Sequence, residues 1–287
     1  MKIFRVALIL GMASLRPLFA QVSVEAVPAQ DQFLPGEALT VAVRVTNLSG
    51  KSLHLGDAGW LKLSVESKDG FIVSKLGDVP VQGEFTLDSS KVAIKRVDLS
   101  PAFSLIRAGR YNVTATVRIK DWDQEFTSPP AEFNIIQGVK LWEQNFGVPD
   151  KTTTTPEVRK YALQQANYLK HLKLYVRITD ADDSRVFKVI AIGSMVSVSQ
   201  PQPLMDKFSN LHVLWQTGAR AFAYRVVNPD GEVIVRQTYD YTATRPKLRA
   251  NDDGKIIVAG GGRRLTRDDL PADQIPAPTN AVVLPKS

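Results

Sequence analysis

A two-residue hydrophobic period runs through most of the chain. It is clearest in residues 109–119, GRYNVTATVRI, where apolar side chains alternate with polar ones. Residues 39–46, LTVAVRVT, repeat the pattern between a Pro-Gly turn at 35–36 and the turn sequence NLSG at 47–50. A period of two places alternate side chains on opposite faces of a strand, and the β-branched residues here favour that conformation. The pattern therefore predicts an all-β fold.

The same pattern recurs throughout residues 21–136. Further strands are expected around residues 61–66, 83–87, 91–99 and 131–135. Seven or eight short strands, separated by turns and spread over about 115 residues, are typical of a β-sandwich. Trp60 and Trp215 lie in alternating segments and are expected in hydrophobic cores.

One strand in this region resembles a known fold family. RAGRYNVTATV, with Gly109 and Tyr111, is similar to the penultimate strand of immunoglobulin-like and fibronectin type III domains. PGEALTVAVRVTNLSG, at 35–50, resembles the early strands of bacterial immunoglobulin-like modules. The resemblance covers residues 21–136 and implies an immunoglobulin-like sandwich in which the Tyr111 hydroxyl bonds to the preceding connection. Such a resemblance specifies a fold and almost nothing about activity.

The rest of the chain is expected to form a second unit. Prolines and a threonine run, GVPDKTTTTP at 147–156, place a linker at 137–157, with Trp142 and Phe146 contacting both halves. Residues 158–264 are expected to form a second small antiparallel β domain, and residues 265–287 a proline-rich tail.

Two features of the second unit leave alternatives open. Residues 157–172 fit either one helix or two strands, and the β-rich neighbours favour strands. Residues 211–233 are similar to a blade of secreted β-propellers, but 157–262 are too few for a closed propeller. The unit is therefore expected to be a second sandwich or a blade-like sheet packed on the first.

The first twenty residues have the features of a secretory signal peptide. MKIFR supplies positive charge, VALILGMASL an apolar run, and Ala20 a small residue at the expected cleavage point. The alternative is an ordinary buried strand. With the leader removed, no transmembrane segment is expected, and the protein is predicted to be secreted or periplasmic.

Composition narrows the possible chemistry. The absence of cysteine excludes disulfides, thiolate metal sites, a thiol nucleophile and cysteine-linked lipid. The formal charge of +7 becomes +4 once Lys2, Arg5 and Arg16 of the leader are subtracted. No run of five basic residues is present, so nucleic acid is not an expected partner.

Catalytic and metal-binding motifs are not found. Gly193 and Ser194 are adjacent, whereas a nucleophile elbow needs G-x-S-x-G. The acidic turns DADD (180–183) and NDDG (251–254) do not fit a calcium loop, and GGGRR at 260–264 lacks the Lys-Ser/Thr pair of a phosphate loop. Three scattered histidines, His54, His171 and His212, form no pattern for zinc or general-base catalysis. We therefore expect no catalytic, cofactor-binding or metal-binding residues.

Trp122 is the remaining candidate contact residue. It lies between Asp121 and Asp123 at an expected bend, where a tryptophan can either stack on a partner or cap the sandwich core. Together these features predict an exported, non-catalytic binding or structural protein of the envelope or extracellular space, with a protein or glycan partner. The alternatives are a polysaccharide-acting enzyme with carboxylates in the C-terminal domain and a protease-inhibitor-like module.

Overall fold

The computed structural model describes residues 21–81, 83–148 and 157–271. These residues form an all-β protein of several antiparallel sheets, as the alternation predicted. The one helical element among them is a 3₁₀ turn, Lys120–Trp122. Within the described ranges no helix has the length and apolar character needed to cross a bilayer. The expected signal peptide lies outside the described residues.

The N-terminal half contains ten strands. They are β1 (Val22–Pro28), β2 (Gln32–Phe33), β3 (Thr40–Asn47), β4 (Leu53–Leu55), β5 (Leu61–Ser67), β6 (Phe85–Leu87), β7 (Val92–Asp98), β8 (Gly109–Ile119), β9 (Gln124–Thr127) and β10 (Ala131–Ile135). One sheet has the order β1-β3-β7, and a second has the order β2-β10-β8-β5 with β9 also paired to β8. β4 and β6 form a separate pair. The β2–β10 pairing is parallel, and the others in this half are antiparallel.

The two larger N-terminal sheets share one hydrophobic core. Val43 of β3 and Val113 of β8 are fully buried, and Trp60 is 2% exposed, as expected for a core residue. The Tyr111 hydroxyl donates to the carbonyl of Arg107 at 2.6 Å, which ties β8 to the connection before it. This is the bond that the resemblance implied for Tyr111.

The C-terminal half contains eleven strands. They are β11 (Val139–Val148), β12 (Glu157–Tyr168), β13 (His171–Asp180), β14 (Val186–Ser194), β15 (Gln202–Met205), β16 (Leu211–Gln216), β17 (Ala221–Val227), β18 (Val233–Asp240), β19 (Lys247–Ala250), β20 (Ile256–Ala259) and β21 (Gly262–Arg264). They form the sheets β11-β12-β13-β14 and β15-β16-β17-β18-β21, and the hairpin β19-β20.

These two larger sheets also share one core. Leu163 of β12 and Val176 of β13 pack in the same buried cluster as Val213 and Trp215 of β16. Trp215 is 1% exposed, as expected, and its indole Nε1 donates to the carbonyl of Ser194 at 2.9 Å. The other face of the five-stranded sheet is covered by the β19-β20 hairpin through Leu248 and Ile256. The half is thus built as a second small sandwich.

The structure corrects the expected linker and decides between helix and strands at residues 157–172. Residues 139–148, expected in the linker, form β11 of the first C-terminal sheet, because the Phe146 ring is buried and stacks on Tyr161 at 4.1 Å. Of the rest of that linker, residues 137–138 lie outside any strand, residue 157 begins β12, and residues 149–156 lie outside the described residues. Residues 157–172 form strands and not a helix, since β12 and β13 pair as a hairpin.

The start of the expected tail is also ordered into the sandwich. Just before it, Gly260 and Gly261 take positive φ and turn the chain into β21, which pairs with β18. Asp269, 4% exposed, then forms an ion pair with Arg263, and Leu270 bridges to Arg236. Residues 272–287 lie outside the described residues.

Candidate functional site

The two sandwiches meet along one side of the β11–β14 sheet. Leu34 from the N-terminal half packs with Ala166, Tyr175 and Val189 of that sheet in a small buried cluster. Beside this contact lies an open cleft of about 640 Å³, with walls from both halves. A cleft between two packed units is a common position for a ligand site, so we take it as the candidate functional site.

The turn at residues 34–37 forms one lip of the cleft. The Glu37 amide donates to the Leu34 carbonyl at 3.0 Å, and Gly36 has a φ of +85°. This is the tight turn that Pro35 and Gly36 predict. A Cβ at Gly36 would lie 2.8 Å from Cγ1 of Val186, so the glycine also permits the close approach of the two halves.

Glu37 is a buried carboxylate at this lip. Its Oε2 accepts the Leu34 amide at 2.9 Å, and its Oε1 accepts the Gln30 side-chain amide at 3.1 Å. Burial raises the pKa of Glu37, although both hydrogen bonds and the charge of Lys173 oppose the shift. The carboxylate is therefore harder to ionise than an exposed glutamate and holds the turn in shape.

Arg177, from β13, lines the facing wall. Its Nη1 donates to the Pro35 carbonyl at 3.0 Å, which links the two halves across the cleft. Burial lowers the pKa of this guanidinium, while the charge of Asp183 acts in the opposite direction. A guanidinium carries five N–H donors, so one bond to Pro35 leaves donors for an anionic or carbonyl-bearing ligand.

Asp183 stands at the same wall, in the β13–β14 turn. Its Oδ2 accepts from Nζ of Lys160 at 2.6 Å and its Oδ1 from the Thr179 hydroxyl at 2.9 Å. The bond from Lys160 is the main cause that lowers the pKa of Asp183. Lys160 itself is only 9% exposed and also donates to the Ala181 carbonyl. Asp183 is therefore an ionised carboxylate whose oxygens already have partners.

The remaining walls are largely apolar. Phe103 and Leu105 line the N-terminal side, and Phe187 the C-terminal side. At the rim, Leu76 and Ile106 are 64% and 72% exposed. Large apolar side chains exposed beside a cleft commonly indicate a surface that a ligand or partner covers.

Trp122 does not line the neighbouring concavity. It is half-buried against the N-terminal core, with its ring edge-on to Phe126 at 6.3 Å. A separate hollow of about 360 Å³ nearby is lined by polar and apolar residues that include His54 and Asp121, whose Nδ1 and Oδ2 atoms lie 3.1 Å apart. The position of Trp122 favours the core-capping alternative over the contact residue.

His212 forms a buried polar cluster with Tyr224 and Asp206, which the local sequence does not predict. Its Nδ1 lies 2.7 Å from the Tyr224 hydroxyl and its Nε2 lies 3.2 Å from Oδ2 of Asp206. Burial lowers the pKa of His212, and the bond to Asp206 opposes the shift. The cluster is closed over by the sandwich, since His212 is 8% exposed, and it serves to satisfy buried polar groups.

The acidic turns serve as turn-forming groups. Asp180 accepts the Arg185 amide at 2.9 Å, and Asn251 accepts the Lys255 amide at 2.8 Å. Among the described residues, no group of three or more His, Asp or Glu side chains is arranged to hold a metal ion.

Comparison with known proteins gives little guidance. No family model and no curated protein matches the chain. Among solved structures, the chain is similar to Spo0M, a sporulation control protein from Bacillus subtilis, at 9% identity and a TM-score of 0.31. That match covers 61% of this chain and 90% of the Spo0M chain. A TM-score this low carries no argument about function.

The residues of the cleft were not found from the sequence. The sequence predicts the turn that contains Glu37. It does not predict that Arg177 bonds to the Pro35 carbonyl in this turn, because these two residues are 142 positions apart along the chain. The sequence places Asp183 in an acidic turn that does not fit a calcium loop, and its partner Lys160 lies 23 residues earlier, on β12. The sequence signal for this site is Arg177, an arginine inside a half-buried alternating strand. A charged side chain in such a position needs a polar partner.

Proposed function

We propose that the protein is an exported, non-catalytic binding protein of the cell envelope or extracellular space, and that its ligand occupies the cleft between the two sandwiches. The observation that carries the proposal is the combination, in one cleft of about 640 Å³, of apolar walls from both halves with the half-buried guanidinium of Arg177, which bonds to the Pro35 carbonyl. The leader sequence at 1–20 supports the proposed location.

The wall chemistry favours a protein partner over a glycan. Sugar sites use flat, accessible aromatic rings, and the two rings that line the cleft are not free in this way. Phe103 is only 5% exposed, and the guanidinium groups of Arg159 and Arg185 lie over the Phe187 ring at 4.4 and 4.7 Å. Aliphatic side chains, by contrast, dominate the rim, and Ile106 is strongly exposed there. The proposed ligand is a partner-protein segment that buries apolar side chains and presents a carboxylate or carbonyl to Arg177.

We also propose that residues 21–136 are an immunoglobulin-like module. The supporting observations are the β1-β3-β7 sheet facing β2-β10-β8-β5, the parallel β2–β10 pairing and the Tyr111 hydroxyl bond. Such a module serves here as a rigid scaffold for the Leu34–Glu37 lip. A scaffold of this type implies no particular chemistry.

The test is affinity capture from an exported protein fraction with four baits. Arg177→Met removes the charge at similar length, and Ile106→Asp places a charge on the apolar rim. Ile72→Asp is the matched control, because Ile72 is 93% exposed but does not line the cleft. A partner retained by the wild type and Ile72→Asp, and lost by the other two, supports the proposal. Equal retention by all four baits, or no partner at all, would overturn it.

A polysaccharide-acting enzyme remains the second candidate because two carboxylates line the same cleft. Burial raises the pKa of Glu37, and the bond from Lys160 lowers the pKa of Asp183. Catalytic acid–base pairs commonly combine one carboxyl of raised pKa with one of lowered pKa. The bonds already made by both carboxylates favour binding over catalysis. Turnover on a glycan panel that disappears in both Glu37→Gln and Asp183→Asn would establish the enzyme and refute the non-catalytic function.

A further inference from the structure

Strand β5 forms one edge of its sheet. It pairs with β8 on one side, and no described strand pairs with its other side. The Arg118 amide donates to the Trp60 carbonyl, and the Lys68 amide to the Arg110 carbonyl, so even-numbered residues of this segment bond towards β8. Because antiparallel pairing alternates along a strand, the backbone groups of Leu61, Leu63 and Val65 point to the free edge.

These edge groups belong to poorly exposed residues. Leu61, Leu63 and Val65 are only 7–8% exposed, yet their outward N–H and C=O groups have no backbone partner among the described residues. The covering segment, residues 75–81, bonds elsewhere: the Leu76 and Gly77 amides both donate to Ala102. Backbone groups in poorly exposed positions are ordinarily paired, so this edge has unmet hydrogen-bonding capacity.

A groove of about 600 Å³ separates β5 from the covering segment. Leu61 and Leu63 line one side, and Val79 and Val81 the other. With a rise of about 3.3 Å per residue, strand spacing of about 4.8 Å and layer spacing of about 10 Å, this volume matches about four residues of an added strand.

The charged side chains that line the groove bear on the charge of the occupant. Its lining includes two lysines, Lys62 and Lys75, and one carboxylate, Asp78. Lys62 bonds to Glu125 at 3.1 Å and Lys75 to Asp78 at 2.5 Å, both at exposed positions where pairing is weak and exchangeable. Glu125, which balances Lys62, lies outside the lining and is about half exposed, so an acidic side chain on the occupant can take its place at Lys62.

We propose that this groove binds an extended segment of a partner protein, which adds a strand to the sheet at the free edge of β5. The segment carries β-branched apolar side chains at alternate positions and an acidic side chain between them. Only an extended polypeptide supplies alternating N–H and C=O groups at the spacing of Leu61, Leu63 and Val65. The site is separate from the cleft, where side chains and Arg177 would make the contacts.

The probe is an acetylated nine-residue peptide of alternating valine and threonine with one central glutamate and a flexible solubilising tail. In the full-length protein, amide exchange followed by NMR should slow at least tenfold at Leu61, Leu63 and Val65 when the peptide is saturating. Two further probes carry N-methyl groups on one or the other alternate set of amides. Strand addition predicts that one methylated probe binds like the parent and the other loses binding more than tenfold.

The position of the probe is checked by cross-linking. Because the sequence contains no cysteine, Ser64→Cys gives a single thiol at the groove, and Ser23→Cys gives a matched thiol on the other sheet. A cysteine-bearing probe should form a disulfide with Ser64→Cys and not with Ser23→Cys. Lys62→Glu should weaken binding of the glutamate-bearing probe severalfold. It should strengthen binding of a probe in which lysine replaces that glutamate. Equal effects of both methylated sets, equal cross-linking at both thiols, or no protection of the three amides would each overturn the proposal.

Discussion

The two sandwiches bury different polar groups. Apart from Glu37 at the cleft, the buried polar side chains described in the N-terminal half are Asn47 and Ser128, which bond mainly to backbone. The C-terminal half buries ionisable groups: Lys160, His212 and Asp269 are each less than 10% exposed and each has an oppositely charged or titratable partner.

This difference bears on how each half is stabilised. Neutral side-chain bonds to backbone contribute about equally at all moderate pH values, whereas buried charges contribute only while their partners keep the matching protonation state. The halves are joined by one small cluster around Leu34 and Tyr175 and by few polar contacts. We therefore expect two separable unfolding transitions with different sensitivities.

The largest effects should come from the two buried tryptophans. Trp215→Ala removes a ring at the centre of the C-terminal core and should lower the free energy of unfolding of that half by about 3–5 kcal/mol. Trp60→Ala should do the same in the N-terminal half. Calorimetry should show each variant moving one transition and leaving the other in place. A single transition that both variants shift would mean that the halves unfold as one unit and that their interiors cannot be compared separately.

A smaller effect is expected at the lysine of the C-terminal sheet. Asp183→Ala leaves the amino group of Lys160, whose side chain is 11% exposed, with only the Ala181 carbonyl and a long 3.9 Å contact to Glu143. Because Asp183 itself is half-exposed, we expect a loss of about 2 kcal/mol from the C-terminal transition. Lys160→Met, which removes the buried charge at similar volume, should lose less than Asp183→Ala. If Lys160→Met is the more damaging variant, the pair stabilises by packing and not by charge.

Two tyrosines should respond to the same change with opposite sign. Tyr111 and Tyr175 are both fully buried, but the Tyr111 hydroxyl donates to the Arg107 carbonyl, whereas the Tyr175 hydroxyl has no partner among the residues that the structure describes. Tyr111→Phe should therefore destabilise the N-terminal half by about 1 kcal/mol, and Tyr175→Phe should be neutral or stabilising by up to about 1 kcal/mol. Denaturant titration of each variant measures both values. A clear loss on Tyr175→Phe would show that its hydroxyl is bonded in solution.

Much of the fold follows from local pattern, and the site does not. The alternation in residues 39–46 and 109–119 fixes which side chains enter the core, because a one-residue slip would expose all of them. The linker expectation failed at β11 because Val139–Val148 follows no clean period: its polar residues lie on a sheet edge, and Phe146 is buried by Tyr161, which comes after the threonine run. Edge strands carry a weak signal since only part of each side chain is covered.

The cleft could not be predicted for a related reason. Its chemistry depends on contacts between Arg177 and Pro35 and between Lys160 and Asp183, which strand pairing and domain packing bring together. No local period encodes the packing of one sandwich on another. The predicted turn at Pro35–Gly36 supplied one lip, and the opposite wall became visible only with the arrangement of the β11–β14 sheet.

The smallest expected effect is a difference in pH response between the two transitions. Burial lowers the pKa of His212 below its ordinary value of 6.5, so the folded C-terminal half binds fewer protons than the unfolded chain. Its stability should therefore be fully present above pH 6.5 and should fall as the pH drops towards the lowered pKa, by at most about 1.4 kcal/mol per pH unit.

Burial raises the pKa of Glu37 above 4.5, so the N-terminal half should gain stability as the pH falls through that raised value. Between pH 6.5 and 4.5 the two calorimetric transitions should move in opposite directions, and His212→Gln and Glu37→Gln should each flatten the response of one transition only. Parallel movement of both transitions in the wild type would contradict the opposite pH responses assigned to His212 and Glu37.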